Sequence, residues 1–250
     1  MKRFKLVVAY DGTNYCGWQI QPNAPTIEGE LNAALYHLTG ENIQVIGASR
    51  TDAGVHAYGN VAVFDSNTPI PGEKLLFALN PRLPEDIRIV DSHEVSGDFH
   101  PRHCDTKKTY EYHICTGRTI LPTQRLYSHW VPHPLDINAM NEAAQYLIGT
   151  HDFKSFCAAQ TQVKTTVRTV LGITVMQSPF DEINNNITIR VEGEGFLYNM
   201  VRIISGTLLK VGLHTWQPEY VQKILESRDR TKAGETVPAK GLFLKKIEYL

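Results

Sequence analysis

The 250-residue chain has no run of about 18 uninterrupted apolar residues, so it offers no membrane-spanning helix. The apolar stretch in its opening, MKRFKLVVAYDG, is too short for the core of a secretion signal and passes straight into polar residues, so it reads as a first strand. Cysteine is scarce: Cys16, Cys104, Cys115 and Cys157 are scattered, with no C-x-x-C pair. That argues against a disulfide scaffold and fits reduced thiols in a cytoplasmic protein. There is no G-x-x-x-x-G-K followed by Ser or Thr, and VEGEGF contains only Gly-x-Gly, so a nucleotide cofactor has no cradle. No G-x-S-x-G elbow occurs, which weakens a hydrolase reading. The histidines do not compose a metal site. His100, His103 and Cys104 in FHPRHC, and His129 and His133 in HWVPH, are interrupted by Pro101 and Pro132, and no second cluster completes a tetrahedron.

Net charge is also nearly absent, at -1. Its distribution is uneven. Residues 1–100 carry 7 Lys and Arg against 12 Asp and Glu, whereas residues 200–250 carry 9 against 5. A neutral chain can therefore still present a basic surface, although uneven solvated charge gives the same count. What is present is the composition of a soluble globular protein, 42% apolar and 20% charged, long enough for one large domain or two modest ones.

Periodicity orders the first hundred residues as β-α-β-β-α-β. FKLVVAY, IQVIGAS, GNVAVFDS and IRIVDSHEV read as strands. TIEGELNAALYHL places Ile27, Leu31, Ala34, Leu35 and Leu38 on one helical face behind a Thr26 cap, and PGEKLLFAL reads as a short helix. The second half repeats the order. KTYEYHIC is a strand, PLDINAMNEAAQYLIG a helix, and TTVRTVLGITVMQ a strand alternating through Val167, Thr169, Leu171, Ile173 and Val175. NNITIRVEGEG is a strand, FLYNMVRIISGTLLKVG and QPEYVQKILESR are helices, and GLFLKKIEYL is a last strand. The expected class is α+β: two ferredoxin-like units, residues 1–105 and 106–250. They are expected to join edge to edge into one broad, mainly antiparallel sheet with helices on one face and a cleft on the other. The basic segment SRDRTKAGETVPAKG, with two Gly and a Pro, reads as a mobile surface loop.

Three residues stand out chemically. Asp52 lies in the Arg-Thr-Asp triplet of GASRTDAGVHAYGNVAVF. A carboxylate there is commonly a turn or cap residue. Yet Arg50 is placed to keep it ionised, Ala53 and Gly54 permit a ligand's close approach, and His56 adds a polar group. An ionised aspartate can attack an electrophilic carbon or remove a proton. Tyr110, on one strand face with Tyr112 and Ile114, is either a core tyrosine or a stacking platform for a base, with Lys107 and Lys108 available to phosphates. Arg202, flanked by apolar residues, either snorkels to the surface or pairs with a carboxylate in a cleft.

These residues lie in stretches that resemble the tRNA pseudouridine synthase A family along the whole chain. The stretches are YDGTNYCGWQIQPNAPTIEGEL, GASRTDAGVHAYGNVAVFD, NPRLPEDIRIVDSHEVSGDFHPRH with KKTYEYHI, GTHDFKSFC, GFLYNMVRIISGTLL and AGETVPAKGLFL, in that order. The resemblance implies an enzyme that converts uridine to pseudouridine at positions 38, 39 and 40 of the tRNA anticodon arm, working as a homodimer in which one tRNA can contact both subunits. It implies Asp52 as the nucleophile, Arg50 as an RNA-binding or orienting neighbour, Tyr110 stacked on the target uracil, and Arg202 paired with Asp52. His103-Cys104-Asp105 departs from the family's Phe-Ser-Ala-like residues. The reaction rearranges atoms without net electron transfer or added water, so neither a redox cofactor nor a metal-activated hydroxide is expected. Two other readings stay open on the residues alone: a non-catalytic RNA-binding module, and an aspartate-dependent hydrolase of a small metabolite.

Overall fold

The computed structural model describes residues 1–158, 163–180 and 184–250. It forms two compact units, Met1–Thr106 together with Leu244–Leu250, and Lys107–Phe243. Both are α+β.

In the first unit the order is β1 (Lys2–Tyr10), α1 (Ile27–Thr39), β2 (Ile46–Gly47), β3 (His56–Ser66), α2 (Leu75–Leu79) and β4 (Ile87–Val95). Strand β1 lies between β3 and β4, antiparallel to both. Its alternation turns Phe4, Leu6 and Val8 inward, all fully buried, each worth about 1.5–3 kcal/mol when removed from water. Helix α1 adds Ile27, Leu31, Ala34 and Leu35 to that core, as its spacing predicts. Thr26 caps the helix by accepting from the Gly29 amide, and Gly40 closes it in the left-handed conformation. Two expectations are revised in length. IQVIGAS yields only the two-residue β2, paired to Val63 and Ala62 of β3. PGEKLLFAL divides into a 3-10 turn at Gly72–Lys74 and the five-residue α2.

The second unit contains β5 (Thr106–Thr116), β6 (His129–Val131), α3 (Ile137–Gln145), β7 (Gly149–Asp152), β8 (Val167–Pro179), β9 (Asn185–Gly193), α4 (Met200–Gly212) and α5 (Tyr220–Ser227). Strand β9 pairs antiparallel with β5 and β8, β7 pairs antiparallel with β8, and β6 runs parallel to β5. Strand β10 (Leu242–Tyr249) returns the chain to the first unit, where it neighbours β3.

The alternation expected through β8 breaks at one place. A bulge between Val170 and Gly172 slips the register against β9. Val170, Ile173 and Val175 are therefore the buried set, and Leu171 and Val167 turn outward. Beyond β7, the Asn141 side chain of α3 takes the place of a neighbouring strand: it accepts from the Val175 amide at 2.8 Å and donates to the Val175 carbonyl at 2.8 Å.

Helix α4 is the most buried helix of this unit; among its 13 residues only Arg202 and Lys210 are not buried. The segment expected to be a mobile loop is packed against it. Ala233, Gly234 and Val237 are buried, and the Gly234 amide donates to the buried Thr207 hydroxyl at 2.9 Å. A β-carbon on Gly206 would lie 2.1 Å from the Glu235 carbonyl oxygen, and one on Gly234 2.5 Å from the Gly206 carbonyl carbon. Two glycines facing each other are what let the segment approach the helix backbone.

The four cysteines are free thiols, Cys115 and Cys157 buried. Among the described residues no group of three or more His, Cys, Asp or Glu side chains could hold a metal ion, and no helix is long and apolar enough to cross a membrane.

Candidate active site

Asp52 stands on the turn that leads from β2 into β3. The main chain on both sides of it is fixed. The Thr51 carbonyl accepts from the Trp18 amide at 3.0 Å, the Asp52 carbonyl from the Val55 amide at 3.1 Å, and the Gly54 amide donates to the Tyr15 carbonyl at 3.3 Å. The partners Tyr15 and Trp18 belong to the loop after β1, which reaches the turn through glycine. Gly17 has φ +90°, and a β-carbon there would lie 2.6 Å from the Thr51 carbonyl oxygen; one on Gly12 would lie 2.0 Å from that of Val55. Thr51 and Val55 are buried, Asp52 is half-buried and Arg50 is exposed. The turn thus anchors its flanks at the main chain, with Asp52 half-buried and Arg50 exposed upon it.

His56 serves the loop after β1. It is buried, and its Nδ1 lies 3.1 Å from both the Gly12 amide and Asp11 Oδ1, so it fastens the loop after β1 to β3.

Sequence reasoning missed Arg102. FHPRHC drew attention to its histidines, yet the guanidinium between them is the group that reaches the turn. Arg102 Nε donates to the Gly47 carbonyl at 2.7 Å, across 55 residues of sequence. Its pKa is lowered, first by burial and then by the like charge of Arg50, with Glu28 opposing. Two like-charged guanidiniums held near one another favour an anion between or beside them. The histidines themselves stack face to face, ring centroids 3.7 Å apart, and His100 Nδ1 accepts from the Arg102 amide at 3.2 Å. They brace Arg102.

The other two candidates lie in the second unit. Tyr110, on β5, is half-buried, and the Phe196 ring meets it edge-on at 5.3 Å with an interplanar angle of 86°. Its neighbour Tyr112 is the core tyrosine: fully buried, its hydroxyl donating to the Pro238 carbonyl at 2.9 Å, its pKa pushed up by burial. Lys107 is engaged by Glu192 at 3.4 Å. Arg202, in the first turn of α4, is not a snorkelling surface residue. Its Nε donates to the Val237 carbonyl at 2.7 Å and its Nη1 to Asn199 Oδ1 at 2.8 Å. Asn199 occupies the left-handed region, φ 62°, which asparagine tolerates better than most residues. The segment 233–238 thereby fixes the one arginine of α4 by its backbone.

The first unit thus presents a carboxylate on a stiff turn with two arginines, and the second an aromatic ring with an arginine oriented by main-chain carbonyl and amide oxygens. The first pair was legible as a motif. Arg102 carried no local signal, because its partner is a distant carbonyl.

Comparison with known proteins gives the same direction. Residues 6–103 and 143–250 match the family model described as tRNA pseudouridine synthase. Asp52, Arg50, Arg102 and Arg202 fall within the matched segments, and Tyr110 falls between them. The chain is 48% identical to the tRNA pseudouridine synthase A of Thermoanaerobacter sp. (strain X514), over 100% of both chains. It is 49% identical to the tRNA pseudouridine synthase A 2 of Clostridium tetani, over 99% of both, and 47% identical to the tRNA pseudouridine synthase A of Brevibacillus brevis, over 100% of both.

Proposed function

Because the chain belongs to the tRNA pseudouridine synthase family, and so isomerises uridine to pseudouridine in tRNA, we propose that Asp52 is its nucleophile and that its targets are positions 38, 39 and 40 of the anticodon arm. The observation that carries this reading is the Asp52 turn itself: a half-buried carboxylate on a backbone held at Thr51, Asp52 and Gly54, with Arg50 two residues away and Arg102 tied to Gly47. In such a place a carboxylate meets a ribose while the arginines meet its phosphates.

The chemistry asks for little else. The C1′–N1 bond breaks, the uracil turns, C5 bonds to C1′, the C5 proton is lost and N1 is protonated. Product and substrate have the same atoms and the same oxidation level, so no cofactor enters the balance. Asp52 can open this sequence by attack at C1′ or by taking the C2′ proton; both use the same ionised oxygen. A detached base must be retained. Tyr110, with its edge packed by Phe196, offers a face on which uracil stacks. We assign Arg202 to pairing with the Asp52 carboxylate. A base within a stem is reached by flipping it out. Selection of three neighbouring uridines fits recognition of shape and backbone more than of base edges. We further propose that the enzyme is cytoplasmic and acts as a homodimer, one tRNA contacting both subunits.

The test is an incubation of unmodified tRNA with the protein in buffer free of added cofactor, followed by mapping of pseudouridine. Product at 38, 39 or 40 is expected; tRNA that is retained but unchanged would instead mark an RNA-binding module. A second measurement addresses the arginine pair. Arg102→Gln is expected to weaken tRNA binding and to reduce the slope of log affinity against log salt by about one unit, the change expected from losing one phosphate contact. An unchanged salt slope would remove Arg102 from the RNA surface.

A further inference from the structure

Behind the Asp52 turn lies a polar chain that the reaction does not use. Asn60, in β3, is fully buried. It lies where the pairing of β3 with β1 slips: Val8 faces Asn60, but Tyr10 faces Ala57, so β3 holds one residue more than β1 over this stretch. Such bulges re-aim the backbone next to functional sites and leave ladder groups in need of partners. The Asn60 carboxamide supplies them. Its Oδ1 accepts from the Val61 amide at 2.9 Å and the Ser49 amide at 3.3 Å. Its Nδ2 donates to the Ser49 carbonyl at 3.0 Å and to Tyr10 Oη at 3.2 Å. Two acceptor and two donor positions are all that a carboxamide has, and all four are engaged. Tyr10 Oη in turn shares a hydrogen bond of 2.7 Å with Thr51 Oγ1, also buried. Thr51 is the residue before Asp52.

We propose that Asn60, acting through the Tyr10 and Thr51 hydroxyls, is a positioning residue for the Asp52 carboxylate. The reading rests on Asp52 being the nucleophile. The backbone bonds at Thr51 and Asp52 hold the turn at the main chain, but a carbonyl hydrogen bond leaves rotation about the neighbouring peptide planes. The buried Thr51 hydroxyl adds a second, off-axis point, and two points determine the direction in which the next side chain leaves. Asn60 is suited to the task because it holds Ser49, at the start of the Arg-Thr-Asp turn, and Val61, in the middle of β3, on one rigid amide. A chain of this kind matters for rate rather than for binding, because a misplacement on the order of 1 Å at the reacting atom lowers rate about 100-fold.

The experiment uses near-isosteric changes that leave the core filled. Thr51→Val and Tyr10→Phe each remove one end of the 2.7 Å bond. Each is expected to lower the single-turnover rate constant for pseudouridine formation by about 10- to 100-fold, with KM for tRNA within about twofold. The double variant is expected to be no slower than the slower single, since both changes break the 2.7 Å bond and Tyr10→Phe alone already removes the acceptor of Asn60 Nδ2 as well. Thr51→Ser, which keeps the hydroxyl, is expected to recover most of the rate. A rise in KM at unchanged rate, a Ser variant as slow as the Val variant, or multiplying losses in the double variant would each overturn the proposal. Hydrogen exchange of residues 48–55 is followed in the same variants. The Val variant is expected to speed exchange there and leave β4 unchanged; unchanged exchange at 48–55 also overturns the proposal. If the unaltered protein forms no pseudouridine, the functional reading fails, and the exchange result, with Asn60→Asp followed beside the other variants, still decides whether the Asn60 chain holds the turn.

Discussion

Asp52→Asn is expected to abolish pseudouridine formation while leaving the fold and the affinity for tRNA in place. The substitution is isosteric, and the main-chain bonds that shape the turn, from Trp18 to Thr51 and from Val55 to Asp52, are made by backbone atoms that Asn retains. What is lost is the negative charge and the nucleophilic or basic oxygen. An amide neither displaces uracil from C1′ nor accepts a proton from C2′. Losses on removing a nucleophile reach about 10⁴- to 10⁶-fold in well-studied enzymes, and a value in that range is expected here. Tritium placed at C5 of uridine gives the readout, because that hydrogen leaves only when C5 joins the sugar. Excess Asp52→Asn protein with labelled tRNA is expected to release none above background over hours, with a melting temperature within about 2 °C of the parent, since an isosteric change that keeps the turn's main-chain bonds costs little. An Asn variant that releases tritium at an appreciable fraction of the parent rate would transfer the chemistry to another group.

Gly206→Ala is expected to be the most damaging single-methyl change in the second unit. The added carbon would stand 2.1 Å from the Glu235 carbonyl oxygen, closer than any real contact, and both atoms belong to backbones. Either α4 or the 233–238 segment must move. Overpacking costs about 1–3 kcal/mol, and losing the buried bond from the Gly234 amide to Thr207 adds about 1 kcal/mol. For a chain of this size that corresponds to a fall in melting temperature of roughly 5–15 °C. Activity is expected to fall further than stability explains, because Val237 lies in the same segment and its carbonyl holds Arg202 at 2.7 Å. Calorimetry gives the first effect, and the rate constant measured well below the new melting temperature gives the second. Gly234→Ala, approaching the same contact from the opposite side, is expected to reproduce both. A Gly206→Ala protein with unchanged melting would show that the segment yields without cost.

The contrast between these two sites follows what a sequence can express. The strands and helices with long regular patterns, such as β1, β9 and α1, were legible because one face of each is buried along its length, and α4 because it is apolar and buried nearly all round. Strands β6 and β7, of three and four residues, are too short to carry a period, and sequence reasoning passed over them. In β8 the odd positions from Val167 to Val175 suggest one alternation, but the adjacent apolar pair Val170-Leu171 leaves the inward choice open, and the bulge at Val170–Gly172 decides it for Val170. The 227–241 segment looks like a solvent-exposed loop because most of its side chains are polar, while it packs through Ala233, Val237 and a close backbone approach at Gly206 and Gly234. Asp52 and Arg50 were readable from the Arg-Thr-Asp turn. Arg102 and Asn60 were not, because each finds its partners through the fold: a carbonyl 55 residues away for Arg102, and a tyrosine 50 residues away for Asn60.

The return of Leu244–Leu250 to the first unit gives chain synthesis a particular order. The turn that bears Asp52 is translated early, but β3 gains its β10 neighbour only after the whole of Lys107–Phe243 has left the ribosome. At ordinary elongation rates the nascent first unit waits on the order of ten seconds, one strand short. During that interval the stretch of β3 that β2 does not cover is open to cellular chaperones or to a neighbouring nascent chain on the same message.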